Sequence, residues 1–216
     1  MSDDPASLPV VRLRPKVDAR RVRHGAPWVY ADDLVLDRRT RALAPGSFAM
    51  LEDAARAPVA VVSVNPASKI AARVMDRDPA ARIDGAWIAA RIAAALDLRA
   101  QLYPTPHYRL VHAEGDGLPG LVIDRFGETA VVQPNAAWAE RCLPEIVAAL
   151  DTVAGIGSVY KNAAGRARAL EGLDAESGVL AGQVGGPVPV PMNGAVYMAD
   201  LTGGQKTGLF YDQREN

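Results

Sequence analysis

The chain has 216 residues, of which 49% are apolar types, and a formal net charge of -1. That apolar share supports a sizeable core and excludes a wholly disordered chain, and the single cysteine, Cys142, excludes an internal disulfide framework or a cysteine-rich zinc module. No apolar run approaches the roughly 20 residues of a membrane helix, and the polar start Met-Ser-Asp-Asp-Pro lacks the pattern of a secretory signal, so a cytoplasmic protein of one large domain or two small ones is expected.

Residues 8–77 read as all-β with turns. Val10-Val11-Arg12-Leu13, Trp28-Val29-Tyr30, Ser47-Phe48-Ala49-Met50-Leu51, residues 59–64 and residues 70–75 are the strand candidates, with Pro45-Gly46 as a turn and Asn65-Pro66 as a stop. Short strands punctuated by Gly, Pro and Asp suggest a strongly curved sheet or partly closed barrel. The polar residues 76–82 make a boundary. A helix then starts at Asp84, which can cap its first turn, and buries Trp87, Ile88, Ile92, Ala95 and Leu96, with Arg91 and Arg99 at the rim. Pro104 and Pro106 end it.

Extended pieces follow at 108–112, 120–124 and 129–133, with Gly115-Asp116-Gly117 in the first turn and Arg125-Phe126-Gly127-Glu128 in the second. Asn135 can cap a second helix running to about Leu150, with a kink or a fresh helical turn at Pro144. Residues 157–160 read as a strand and 163–171 as a short helix or loop. Three prolines within 187–191 suggest a stiff connector. Residues 196–201 and 207–211 read as a final hairpin about Gly203-Gly204, and the polar 212–216 resembles the first turn of a helix.

Charge is unevenly spread. Residues 1–77 carry 13 Lys and Arg against 9 Asp and Glu, whereas 78–216 carry 11 against 16. Within residues 12–23 stand Arg12, Arg14, Lys16, Arg20, Arg21 and Arg23, opposed only by Asp18. Such a patch suits local phosphate binding; the alternative is a solvated face whose long stems cover apolar surface.

No complete catalytic machinery is legible. His24, His107 and His112 are too few and dispersed for a metal site, so none is expected. Cys142 reads as a buried small hydrophobe rather than a nucleophile. No glycine-rich loop follows a strand and opens a helix. Two stretches are nonetheless unusually specific. Residues 114–127 read as a hairpin turn of special geometry, with a binding role as the alternative. Around residues 200–216, Gln205, Lys206, Thr207, Asp212, Gln213 and Arg214 cluster polar groups beside Phe210 and Tyr211, which would suit a polar ligand or a base stacked on a ring, or else a capped domain junction.

Four stretches carry a resemblance to a known family: residues 20–30 (RRVRHGAPWVY), 65–74 (NPASKIAARV), 114–127 (EGDGLPGLVIDRFG) and 200–216 (DLTGGQKTGLFYDQREN). From about Val11 onward the chain resembles the bacterial S-adenosylmethionine-dependent 23S rRNA (cytosine-C5) methyltransferases that begin with a PUA domain. It departs from them at Lys161-Asn162-Ala163-Ala164 and at His24-Gly25-Ala26-Pro27-Trp28.

The resemblance implies an α+β chain: a PUA-like β-barrel over 1–78, a mixed α/β central domain over 83–186, and a connector and hairpin over 187–216 leading into a methyltransferase domain that these residues do not include. It implies that Arg14, Lys16, Arg20, Arg21 and Arg23 hold rRNA phosphates. It also places Gln205, Lys206, Thr207, Phe210, Asp212, Gln213 and Arg214 beside the cofactor cleft. The cofactor would be S-adenosyl-L-methionine in the full-length enzyme, with no tight binding to these 216 residues alone, and the partner 23S rRNA, with homodimerisation left open. The family's catalytic cysteine, which adds to C6 of the flipped cytosine, belongs to the further domain; Cys142 matches no catalytic position, and this chain alone is expected to transfer no methyl group. A non-enzymatic PUA-type RNA-binding or ribosome-assembly module is the competing expectation.

Overall fold

The structure, a computed structural model, describes residues 7–204, 208, 209 and 211. The first strands are β1 (Val10–Arg12), β2 (Trp28–Val29), β3 (Ser47–Glu52), β4 (Pro58–Val64) and β5 (Ala72–Asp76), in the sheet order β1-β3-β4-β5-β2. β1 runs parallel to β3, and the other pairs are antiparallel. The β1 edge is also bonded by residues 33–35, which follow β2 in the chain. Leu13 bridges Leu34, Arg14 N–H donates to the Asp33 carbonyl at 2.9 Å, and Val35 N–H donates to the Arg12 carbonyl at 2.8 Å. Edge pairing of this kind consumes backbone groups that an open sheet leaves exposed. Val11, Leu13, Val29, Leu34, Leu51 and Val62 fill the interior.

The all-β expectation for this segment needs correction. Two four-residue helices, α1 (Arg20–Arg23) and α2 (Arg38–Arg41), interrupt the strands, and Ala31–Asp33 forms a 3-10 turn. Asp37 caps α2 by accepting the Thr40 N–H at 2.8 Å, a local signal of the Asx type that was present in the sequence. The last strand also starts at Ala72 rather than residue 70.

β4 is buried from Val59 to Val64 because both of its faces are covered. Val62 and Val64 face the first core, whereas Val61 joins Met75 in the core of the next unit. That unit opens with α3 (Gly85–Leu102), whose Asp84 cap accepts the Trp87 N–H at 3.0 Å. It continues with β6 (His107–His112), β7 (Leu121–Phe126), β8 (Thr129–Pro134), α4 (Ala137–Arg141), α5 (Leu143–Ala154), β9 (Ser158–Lys161), α6 (Arg166–Leu170) and β10 (Gly178–Ala181). The sheet order is β10-β9-β8-β7-β6. Only β8 and β9 are parallel, and α4 and α5 make the crossover a parallel pair requires. Ile88, Ile92, Ile123, Val132, Trp138 and Ile146 lie in the core between this sheet and its helices.

Pro144 does start a new helix, α5, but Asn135 does not cap the helix that opens beside it, α4. Ala136 precedes α4 and no side chain caps that end. β10 has no counterpart in the sequence reading.

The segment expected to be a stiff connector is a strand. β11 (Val188–Met192) pairs antiparallel with β12 (Ala195–Ala199), from Val188 opposite Ala199 to Met192 opposite Ala195. Asn193 and Gly194 turn the ribbon with φ of 54° and 75°, the pair of positive values a two-residue hairpin loop needs. A two-stranded ribbon needs an inward N–H only from every second residue, so Pro189 and Pro191 are tolerated. The final hairpin expected about Gly203-Gly204 is therefore not the one residues 195–199 form, and 205–207 and 210 lie outside the described residues. The ribbon packs Val190 and Ala199 against Phe126 and Val131, on the sheet face opposite the helices. No described helix is long and apolar enough to cross a membrane.

Candidate functional site

Arg14, Lys16, Arg20, Arg21 and Arg23 are all exposed, but their charges are not equally available. Asp18 clamps Arg20: the guanidinium Nε donates to Oδ1 and Oδ2 at 3.1 and 3.0 Å, and Nη2 lies 2.8 Å from Oδ2. The Arg20 side chain, together with its backbone N–H, holds the Asp18 carboxyl below the usual carboxylate range. Arg23 reaches Asp53 at 3.4 Å, and Arg14 Nε donates to the Leu34 carbonyl at 3.1 Å. Lys16 and Arg21 make no ion pair among the described residues. Arg21 lines a shallow surface depression with Asp18, Trp28 and Asp33. Trp28 and Tyr30 are 36% and 41% exposed and meet edge to face with their ring centroids 6.5 Å apart.

The register of the first sheet carries this aromatic pair to the seam between the two units. Trp28 lies opposite Arg73 on β5. Its Nε1 donates to Glu114 Oε1, in the 3-10 turn after β6, at 2.7 Å, and Arg73 Nη1 donates to the same oxygen at 3.2 Å. Arg73 Nη2 then donates to Glu171 Oε1 at 2.9 Å, joined there by Ser68 Oγ at 3.1 Å. Asn65 Nδ2 donates to Glu171 Oε2 at 3.0 Å and to the Glu171 carbonyl at 2.9 Å. The Glu171 side chain is only 4% exposed, and these donors satisfy both of its carboxylate oxygens. Residues from 20–30, 65–74 and 114–127 thus converge on one contact.

Beside it, Asp76, Arg77, Arg91, Glu114 and Gly117 line a polar cleft. Arg91 Nη2 and Trp87 Nε1 each donate to Asp76 Oδ2 at 2.9 Å, and the guanidinium stands 5.0 Å from the Trp87 ring centre. Burial alone would raise the Asp76 carboxyl, but the bonds from Trp87, the Asp78 N–H and Arg91 outweigh it and hold it below its ordinary value. Arg77 Nε donates to the Val22 carbonyl at 3.1 Å, and Arg77 has no carboxylate partner among the described residues.

The 114–127 stretch is a turn built on Asp116 that leads into β7 at Leu121. Its carboxylate takes both Arg99 Nη1 and Nη2, at 2.6 and 2.7 Å, and the His112 N–H at 2.6 Å. Of this stretch, Glu114 supplies the polar bonds to Trp28 and Arg73 across the seam.

Gln205, Lys206, Thr207, Phe210, Asp212, Gln213 and Arg214 lie outside the described residues. Nearby, Asp200 accepts the Gly203 and Thr202 N–H groups, which hold its carboxyl below the usual range, and Tyr211 donates its hydroxyl to the Arg125 carbonyl at 2.8 Å. Cys142 is half-buried between α4 and α5; burial, with help from Glu145, pushes its thiol up to about 11. No group of three or more His, Cys, Asp and Glu among the described residues could hold a metal ion.

The arrangement is suited to binding an extended anion, with no paired nucleophile and base at the seam. Sequence reasoning groups the five cations of 14–23 but passes over Trp28, Arg73, Arg77 and Glu171. Trp28 carries the one usable signal, a large aromatic in a two-residue strand beside basic residues.

Residues 11–77 match the family model of a PUA-like domain. The whole chain is 34% identical to a ribosomal RNA large subunit methyltransferase of Deinococcus radiodurans, covering 55% of that protein. Over 88% of its length it is 33% identical to ribosomal RNA large subunit methyltransferase I of Cronobacter sakazakii, covering 48% of that protein. The chain spans about half the length of these curated relatives. Among solved structures, a Streptococcus mutans protein assigned as a SAM-dependent methyltransferase superposes with a TM-score of 0.77 at 18% identity, over 96% of this chain and 52% of that one. A second, assigned as a methyltransferase and crystallised with SAH, gives 0.75 at 19% identity, over 96% of this chain and 51% of the other. At that identity the likeness is one of fold.

Proposed function

We infer that this chain, which carries a PUA-like domain and is homologous to the ribosomal RNA large subunit methyltransferases, is the RNA-binding and central portion of a cytoplasmic SAM-dependent 23S rRNA (cytosine-C5) methyltransferase. The sequence identity that runs the full length of the chain carries this reading. Residues 1–78, with the first sheet, are read as the PUA-like barrel, residues 83–186 as the central domain, and 187–216 as the approach to a methyltransferase domain. In this account the barrel holds rRNA phosphates through Lys16 and Arg21 above all, with Arg14 and Arg23 around them, while the charge of Arg20 is taken up by Asp18. Phosphate contacts of this kind set affinity and placement rather than sequence choice.

The 115–120 loop does not fit the cofactor. The glycine-containing loop at 115–120 leads into strand β7 and not into a helix whose N–H groups could meet a nucleotide. Methyl transfer is therefore assigned to residues of the enzyme beyond these, with Gln205–Gly208 and Asp212–Arg214 read as lying toward that cleft. This chain's own task is to seize rRNA and orient it.

The uninterrupted coding region, expressed and supplied with labelled S-adenosylmethionine and 23S rRNA, should label a cytosine, while the 216-residue chain binds rRNA without labelling it. Binding by the full product with no transfer would instead favour a non-enzymatic ribosome-assembly module. Transfer by the 216-residue chain alone would overturn the division of labour.

A further inference from the structure

We propose that Trp28 is a stacking platform for a base of single-stranded RNA, whose backbone crosses the domain seam between Arg21 on one side and Arg77 and Arg91 on the other. The proposal rests on the reading of the chain as an RNA binder and adds the form of RNA taken and where it is gripped.

Three observations carry it. A tryptophan 36% exposed, with a tyrosine 41% exposed set edge-on beside it, presents apolar ring surface to water at the junction of two folded units. The ring is fixed in place. Its Nε1 is bound to Glu114, which Arg73 holds in turn, so little side-chain entropy remains to be lost when a base settles on it. The charge around it is complementary to phosphate. Of the acids nearby, Asp18 is engaged by Arg20, Glu114 by Arg73 and Asp76 by Arg91, which leaves Asp33 as the carboxylate without a side-chain partner among those lining the two depressions. Arg21, in the depression that Trp28 lines, and Arg77, in the cleft that Glu114 shares, have no carboxylate partner among the described residues. Arg91 adds a guanidinium to the same cleft, its side chain 39% exposed despite its bond to Asp76.

Two depressions, one lined by Arg21 and Trp28 and the other by Arg77, Arg91 and Glu114, are joined by the Trp28–Glu114 bond, and together they describe a surface that can follow a single strand, because any base can stack on a ring. Bases inside an A-form helix are stacked already and offer no free face, so the same surface discriminates against duplex. Asp33, on the wall of the depression and without a side-chain partner, is an acceptor for a base amino group.

Tryptophan emission during titration with a ten-nucleotide single strand, and with the same sequence as a duplex, tests this. The single strand should quench the emission of the wild-type chain, and Trp28→Phe, which keeps a ring, should bind with near wild-type affinity but lose the quench. Trp28→Ala should weaken single-strand binding roughly 5- to 150-fold, and Arg77→Gln should lower the magnitude of the log-affinity against log-salt slope by about 0.7. The duplex should bind more weakly and leave the emission unchanged. Tight binding of the single strand with unaltered wild-type emission, or a preference for duplex, would overturn the proposal while leaving RNA binding intact. Should the wild-type chain bind neither RNA at low salt, the reading of the chain as an RNA binder falls with it.

Discussion

Asp76 shows how a single carboxylate ties elements together. It ends β5 yet accepts from Trp87 and Arg91 on α3, and those bonds keep it ionised against the pull of burial. A carboxyl lowered in the folded state adds stability that is complete above the ordinary carboxylate range and disappears as pH falls through the lowered value. Asp76→Asn should therefore cost about 1.5–3 kcal/mol near neutrality, the range for hydrogen bonds to a charged group. In denaturant melts, the gap from wild type should close as pH drops below about 4; a gap that stays constant down to pH 2 would contradict this account. Cys142 runs the other way. With its thiol raised to about 11, little thiolate exists at pH 8. Alkylation by iodoacetamide should be on the order of 100-fold slower in the folded chain than in denaturant; equal rates would show that the thiol is not shielded. That slowness is what a packing role implies, and it sets Cys142 apart from an activated nucleophile.

Among the elements, those bounded by local chemistry were legible and those set by tertiary contact were not. Asp84 starting α3, Pro104 beyond its end, Pro144 in the first turn of α5 and the Pro45-Gly46 turn all act within a few residues of themselves. β11 was misread because its prolines are excluded only from inward N–H positions, and nothing local reveals which those are. Arg168 is a deeper case. It reads as a polar residue of a short helix or loop, and it is 1% exposed, donating to the Pro134 carbonyl, Glu140 and Asp174. Its burial depends on partners about 30 residues away, beyond any local pattern. Gly46 links the two kinds of information. The turn was legible; its position against α4 was not. With φ +82°, a Cβ there would come 2.6 Å from the Ala137 carbonyl carbon. Gly46→Ala should destabilise by about 2–4 kcal/mol, combining left-handed strain with overpacking at the seam. Thermal melting checks this, and a loss below about 0.5 kcal/mol, as at an ordinary surface site, would mean that the two units do not press together there.

At the scale of the whole molecule, the chain is two sheets sharing a buried seam, with a ribbon on the far face of the second. Val61 and Met75 of the first unit lie in the core of the second, and Glu171 of the second is held by Asn65, Ser68 and Arg73 of the first. Apolar burial and a buried ion network at one interface fix the orientation of the basic face relative to the central sheet. The family likeness was legible in four stretches of sequence. Three of them meeting at this seam was not, since no single stretch encodes its distance from another. The binding reading depends on charge that remains uncompensated, and the salt dependence of affinity for a single-stranded 23S rRNA fragment measures that charge directly. Lys16→Gln and Arg21→Gln should each reduce the slope magnitude by about 0.7, while the double variant Asp18→Asn with Arg20→Gln, which removes a self-compensated pair, should leave it unchanged. A slope indifferent to Lys16 and Arg21, or one that collapses on loss of the Asp18–Arg20 pair, would contradict the account.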